Sequence, residues 1–221
     1  MLGVLGVRGG EAGLRSDDER TGAIDADADA GGRCVVTADI AEDDEPRLTT
    51  LHEYGIVDSR DLGYFLTLVI NARAELDMPM AAISLVTADR QWFKTSAGMG
   101  QIRQTLRAHA FCDHTIESDD PLLVPDSHQD ARFADNPLVT QYPHFRFYAG
   151  APIIASNGHR LGAFCVMDTI PRRMAPEQIA LLRVYAGRAM RHIEIYAMQH
   201  GPGAGEESVR AGPAREHGSA Q

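Results

Sequence analysis

Two pairs of short apolar segments, each pair joined by a turn, constrain most strongly what this chain can fold into. Residues 82–87 (AISLVT) and 91–95 (QWFKT) flank the turn Ala88-Asp89-Arg90. Residues 145–154 and 161–167 flank Ser156-Asn157-Gly158, and Asn-Gly favours the positive φ of a tight hairpin turn. Such pairs read as antiparallel hairpins. A short strand is expected at 122–124, before Pro125-Asp126. Helical periodicity brackets the hairpins. Between 61 and 76, Leu62, Phe65, Leu66, Val69, Ala72 and Leu76 fall on one helical face. Asp58 or Ser59 can cap its start, and Pro79 keeps it from extending. A shorter helix is expected at 48–54. A long one spans 176–198, with proline in its first turn and Ile179, Leu182, Ala186, Ala189, Ile193 and Tyr196 along one seam. Hairpins in the middle and helices at both ends predict an α+β fold: one antiparallel sheet with N- and C-terminal helices packed on it.

Charge divides the 221 residues into three regions. Residues 1–45 hold 4 Arg against 12 Asp and Glu, and alternate Gly, Asp and Ala with few large apolar side chains. That composition predicts a disordered acidic leader, because ordering it would bury too little apolar surface to offset the lost chain entropy. Residues 199–221 are linker-like and predict a disordered tail. The body, 46–198, carries 15 Lys and Arg against 16 Asp and Glu. A nearly neutral body without a basic stripe argues against nucleic-acid binding. No apolar stretch approaches the ~20 residues of a membrane span, and the N-terminus lacks a secretory pattern. With only Cys34, Cys112 and Cys165, a disulfide framework is not expected and a cytoplasmic setting is.

Six stretches then narrow the reading: PRLTTLHEYGIVDS, AAISLVTADRQWFKTSAGM, RAHAFCDHTI, LLVPDSHQDARFADNPLVT, FRFYAGAPI and LGAFCVMDTIPR. Together they cover about 45–195, and in kind and order the chain resembles the GAF domain, in the version found ahead of bacterial sensor kinases and diguanylate cyclases. The resemblance implies a GAF-like six-stranded antiparallel sheet with helices against it. It also implies a sensory or dimerising regulatory module that is not itself an enzyme. Nothing resembling a kinase, cyclase or DNA-binding module follows the last helix, so the expectation is a stand-alone signalling module, binding a small ligand of unknown identity, a partner protein, or both. A homodimer through the terminal helices is expected as well.

The residues able to carry chemistry sit in two stretches. In Arg107-Ala-His109-Ala-Phe111-Cys112-Asp113-His114 the His and Cys spacing fits no closed zinc motif, so no metal is expected. Some GAF domains attach a bilin through cysteine, but there His follows Cys directly, whereas Asp113 intervenes here. One GAF branch reduces free methionine sulfoxide; that thiol chemistry would need Cys112 and Cys165 within reach of each other. The second stretch, 126–137, is a polar loop where this fold closes over a ligand. Arg132 is flanked by Asp130 and Asp135, which can satisfy it locally. Arg146 and Tyr148, two apart in one strand, share a sheet face. They can serve an anionic or carbonyl-bearing ligand, or Arg146 can pair with Asp126 or Asp135. The candidate ligand-binding residues are therefore Phe111, Cys112, His114, Asp126, Arg132, Asn136, Arg146 and Tyr148, with no catalytic residue and no cofactor assigned.

Overall fold

A computed structural model describes residues 44–57, 59 and 63–201. Residues 1–43 of the leader, 202–221 of the tail, Asp58 and the expected start of the second helix lie outside the described residues. Glu45, placed in the leader from the sequence, begins a helix, and residues 199–200, placed in the tail, continue the last one. The elements run α1 (Glu45–Glu53), α2 (Gly63–Leu76), β1 (Met80–Val86), β2 (Arg90–Ala97), β3 (Gln104–Leu106), α3 (Phe111–Thr115), β4 (Leu122–Val124), α4 (Pro137–Thr140), β5 (Phe147–Ile154), β6 (Arg160–Asp168) and α5 (Pro176–His200). Single 3₁₀ turns stand at Arg107–His109 and Ser127–Gln129. The strands form one six-stranded sheet in the order β3-β2-β1-β6-β5-β4, and every pairing is antiparallel. Both expected hairpins are present, and β1 and β6, some 80 residues apart, join them at the centre.

Strand alternation gives the sheet two apolar faces. Ala81, Ile83 and Leu85 of β1, Phe147, Ala149, Ala151 and Ile153 of β5, and Phe164 and Val166 of β6 face α2 and α5. Met80, Ala82 and Val86, Tyr148, and Ala163, Cys165 and Met167 face the opposite way, under α3, α4 and the polar loop. The chain is thus three layers thick. The α5 seam read from the sequence packs on the sheet: Leu182, Ala186, Ala189, Ile193 and Tyr196 are buried. In α2 the buried side is Phe65, Leu68, Val69, Ala72 and Leu76, whereas Leu66, assigned to that face from the sequence, is 41% exposed.

Two further departures position the site. The 104–106 segment pairs as an edge strand with β2. In β2 the register skips Lys94, with Ile83 opposite Thr95 and Ser84 opposite Phe93. This bulge turns Phe93 and Thr95 to opposite faces. Lys94 is left buried, donating to the Ile56 carbonyl (2.8 Å), the Ser59 hydroxyl (2.5 Å) and the Ser59 carbonyl. Among the described residues no helix is long and apolar enough to cross a membrane.

Candidate functional site

The face covered by α3 gathers three of the eight sequence candidates. Phe111 and Cys112 open α3, a helix of five residues whose N-cap Ala110 provides no side-chain bond. Tyr148 rises from β5 beneath them. The Phe111 ring stacks on Phe133 (4.1 Å between centroids) and tilts over Tyr148 (5.1 Å), so three aromatic rings close the space between sheet and loop. Cys112, Tyr148 and Cys165 are each at most 1% exposed.

Sulfur and hydroxyl groups converge below these rings. The Sγ atoms of Cys112 and Cys165 are 3.9 Å apart, and the Tyr148 hydroxyl donates to Cys112 Sγ at 3.2 Å. The hydroxyls of Tyr148 and Thr115 share a 2.7 Å hydrogen bond, and Thr115 donates back to the Phe111 carbonyl at 3.2 Å. Burial alone pushes the Cys112 thiol up, but its hydrogen bonds with Cys165 and Tyr148 are among the contacts that outweigh it and hold the thiol below its usual range. Cys165 moves the other way, raised by its hydrogen bond with Cys112 and by burial. Burial, followed by the charge of the neighbouring thiols, raises Tyr148. The two sulfurs are thus unequal, one disposed to lose its proton and one to keep it.

Of the other candidates, Asp126, Arg132 and Asn136 lie in the polar loop, Arg146 just before β5 and His114 in α3, and each is held by a near neighbour. Asp126 receives both Arg146 Nε and Nη2 at 2.8 Å, Gln129 Nε2 at 2.9 Å and the His128 amide at 3.2 Å. That fork, chiefly Arg146, lowers Asp126 to about 2. Arg132 donates to Asp130 at 2.9 and 2.6 Å and lies over the Phe133 ring, 5.1 Å from its centroid. Asn136 caps α4 through the Leu138 amide and donates to the His109 carbonyl at 3.0 Å, which ties the loop to the turn before α3. His114 is partly exposed, 3.2 Å from Glu117 and edge-on to Phe133. An open groove of about 540 Å³ lies at the same end, lined by His128, Ala134, Val139, Thr140, His144, Arg146 and Thr169. Among the described residues no group of three or more His, Cys, Asp or Glu can hold a metal ion.

An ion network, buried at Asp44 and Arg47 and partly exposed at Arg107 and Asp113, ties α3 to the first helix. Asp113 accepts from Arg107 Nε at 2.8 Å, Arg107 Nη1 reaches Asp44 at 2.5 Å, and Asp44 takes Arg47 Nε and Nη2 at 2.5 and 3.0 Å. Burial opposes ionisation of Asp44, but Arg47 and Arg107 together hold its carboxyl below the usual range.

Sequence reasoning missed Thr115 and Gly150. An added Cβ at Gly150 meets the Tyr148 hydroxyl at 2.2 Å and Thr115 Oγ1 at 2.9 Å. The readable signal was the glycine itself, since an isolated glycine within a strand marks a close approach.

The comparisons with known proteins accord with this architecture. A region of 160 residues is 35% identical to part of a cyclic di-GMP phosphodiesterase of Pseudomonas aeruginosa; it covers 72% of this chain and 27% of that protein, so the chain spans about a quarter of that relative's length. The GAF domain of a phosphoenolpyruvate-protein phosphotransferase from Coxiella burnetii superposes with a TM-score of 0.52 at 14% identity, over 71% of this chain and 95% of that one. A type II free methionine-R-sulfoxide reductase from Thermoplasma acidophilum superposes at 0.51 with 9% identity, over 66% and 96%. At such identities the superpositions speak to the fold alone. The profile of the GAF domain matches residues 63–193, from the start of α2 to the buried Ile193 of α5. With its six-stranded sheet, flanking helices and profile match, the chain belongs to the GAF domain family.

Proposed function

We propose that this GAF domain is a non-catalytic regulatory module of a cyclic-dinucleotide signalling system, working in the cytoplasm by pairing with a second copy of itself along α2 and α5. The observation that carries this reading is an apolar stripe on the outer side of both helices. Leu66 (41%) and Ile70 (51%) on α2, and Val184 (47%), Ile195 (38%) and Met198 (77%) on α5, are exposed although the inner sides of these helices are fully used by the sheet. Val184, Gly187, Arg191, Ile195 and Met198 are exposed at spacings of three and four, the repeat that lets two helices interdigitate. A two-fold axis would bring the same stripe together from both copies. The relation to part of a phosphodiesterase supports a regulatory place beside such chemistry. The packing of Phe111, Phe133 and Tyr148 over the sheet favours signalling by contact.

Sedimentation of the full chain tests this. A dimer at micromolar concentration, converted to monomer by V184E/I195E with an unchanged circular dichroism spectrum, is the expected result; a wild-type monomer at tens of micromolar overturns it.

A second reading rests on the open groove. His128 and His144 stand in one recess beside two threonines and Arg146, whose charge is already met by Asp126, a set of polar groups suited to a small polar ligand. Thermal-shift measurements across cyclic dinucleotides, mononucleotides and carboxylates test it. A rise of several degrees that is lost in H128A/H144A supports a ligand site there.

A further inference from the structure

We propose that Cys112 and Cys165 form a redox pair that closes to a disulfide on reaction with a hydroperoxide. This is a modification site separate from the pairing of copies proposed above, and its test does not depend on that pairing. One sulfur comes from α3 and the other from the central strand β6, with 3.9 Å between them. A disulfide needs about 2.05 Å, so closure asks for a movement on the order of 2 Å by α3 or by the Cys112 rotamer. The helix that would move is a single short turn without a side-chain cap. Cys165, set in a strand hydrogen-bonded on both sides, stays in place.

The chemistry assigns different parts to the two thiols. Tyr148 donates to Cys112, the sulfur whose surroundings favour the thiolate, so Cys112 is the nucleophile. It attacks one oxygen of the hydroperoxide. The O–O bond breaks, an S–O bond forms to give Cys112 sulfenic acid, and hydroxide (or alkoxide) departs, taking up the proton that Cys112 released. Cys165 then attacks the sulfenic sulfur. An S–S bond forms, the S–O bond breaks, and the Cys165 proton leaves with the oxygen as water. Overall the two thiols are oxidised by two electrons, the peroxide is reduced, and two waters result when it is hydrogen peroxide. The oxidant class follows from burial. Both sulfurs are at most 1% exposed in the cluster that holds Phe111, Ile116 and Met167, so an oxidant reaches them only when that packing opens, which favours a small uncharged molecule over a bulky charged disulfide. The residue after Cys112, Asp113, holds Arg107 and through it Asp44, so a shift of α3 also acts on α1.

The test uses the full chain, reduced, desalted and treated with a roughly tenfold excess of hydrogen peroxide. The expected result is the loss of two hydrogens in the intact mass, a linked peptide pair containing Cys112 and Cys165, and reversal by dithiothreitol. Cys165→Ser is expected to stop at a sulfenic acid on Cys112 that dimedone traps, and Tyr148→Phe to slow the reaction several-fold. Free, alkylatable Cys112 and Cys165 after wild-type treatment overturn the proposal. So does a linkage formed instead to Cys34, which lies outside the described residues, or oxidation by glutathione disulfide as fast as by peroxide.

Discussion

The Tyr148 phenol folds back across Gly150, two residues further along the same strand, so that a β-carbon at 150 would stand 2.2 Å from its hydroxyl and 2.7 Å from the ring carbon that bears it. The bare backbone at 150 is what lets the phenol reach Thr115 and Cys112. Gly150→Ala is therefore expected to destabilise the fold by about 2 kcal/mol, in the overpacking range. In a Tyr148→Leu background the same substitution should cost at least about 1 kcal/mol less, because the obstructing ring is gone. A urea-denaturation double-mutant cycle measures both; additivity would contradict the contact.

Tyr148→Phe removes the hydroxyl shared by Thr115 and Cys112 while keeping the ring over the sheet. The expected loss is about 1–2 kcal/mol, the range for a buried hydrogen bond whose partner is left behind. The Cys112 thiol should also titrate at higher pH, because one of the bonds favouring its thiolate disappears. Chemical denaturation reads the first effect and iodoacetamide kinetics against pH the second.

Asp126 titrates at about 2 in the fold, against 3.8 for the free side chain, chiefly through the Arg146 fork. A carboxyl depressed in the native state contributes stability that is fully present above its unfolded value and fades as pH falls through its folded one. The loop 126–146 should therefore hold its native chemical shifts down to about pH 4 and lose them towards pH 2. Arg146→Ala is expected to move the Asp126 titration back up, observable in the carboxyl carbon shift by NMR.

Asp44 stands between two arginines, Arg47 and Arg107, in a nearly dry setting. Asp44→Asn leaves two guanidinium groups facing each other with their carboxylate gone. The expected cost is on the order of 3 kcal/mol, as for other buried pairs that lose one member. Differential scanning calorimetry checks it, and a change below half of that would place the network nearer to solvent than its burial implies.

The hairpins, the central strands and the long last helix were legible because their signals are local: an Asn-Gly turn, an alternating run, a proline at a helix start. What escaped depended on distant partners. Leu66 and Leu68 are equally apolar, and only the placement of α2 on the sheet decides that Leu68 is buried and Leu66 exposed. The 104–106 strand is three residues long and exists because β2 offers it an open edge. Nothing local in the strand 91–95 announces the bulge that leaves Lys94 under the Ile56 and Ser59 carbonyls. Of the polar candidates, the pairing of Arg146 with Asp126 was among the alternatives open in the sequence, because both sit near one strand end. The approach of Cys112 to Cys165 was not readable, since 53 residues separate them and topology alone brings them together.

The strand order β3-β2-β1-β6-β5-β4 divides at its midline into the first and second halves of the chain. Helix α2 lies over the first trio and α5 over the second, while residues 117–120, which link the halves, are exposed. Three helices of the first half reach across: α3 onto β5 and β6, α1 onto β6, and α2 against α5. The domain is in effect two half-sheets interlocked by the short helices α1 and α3 and by the pairing of α2 with α5. Severing the polypeptide within that linking stretch would leave two pieces whose matching edges, β1 and β6, can still find each other, and the clasps formed by α1 and α3 would decide how firmly they hold.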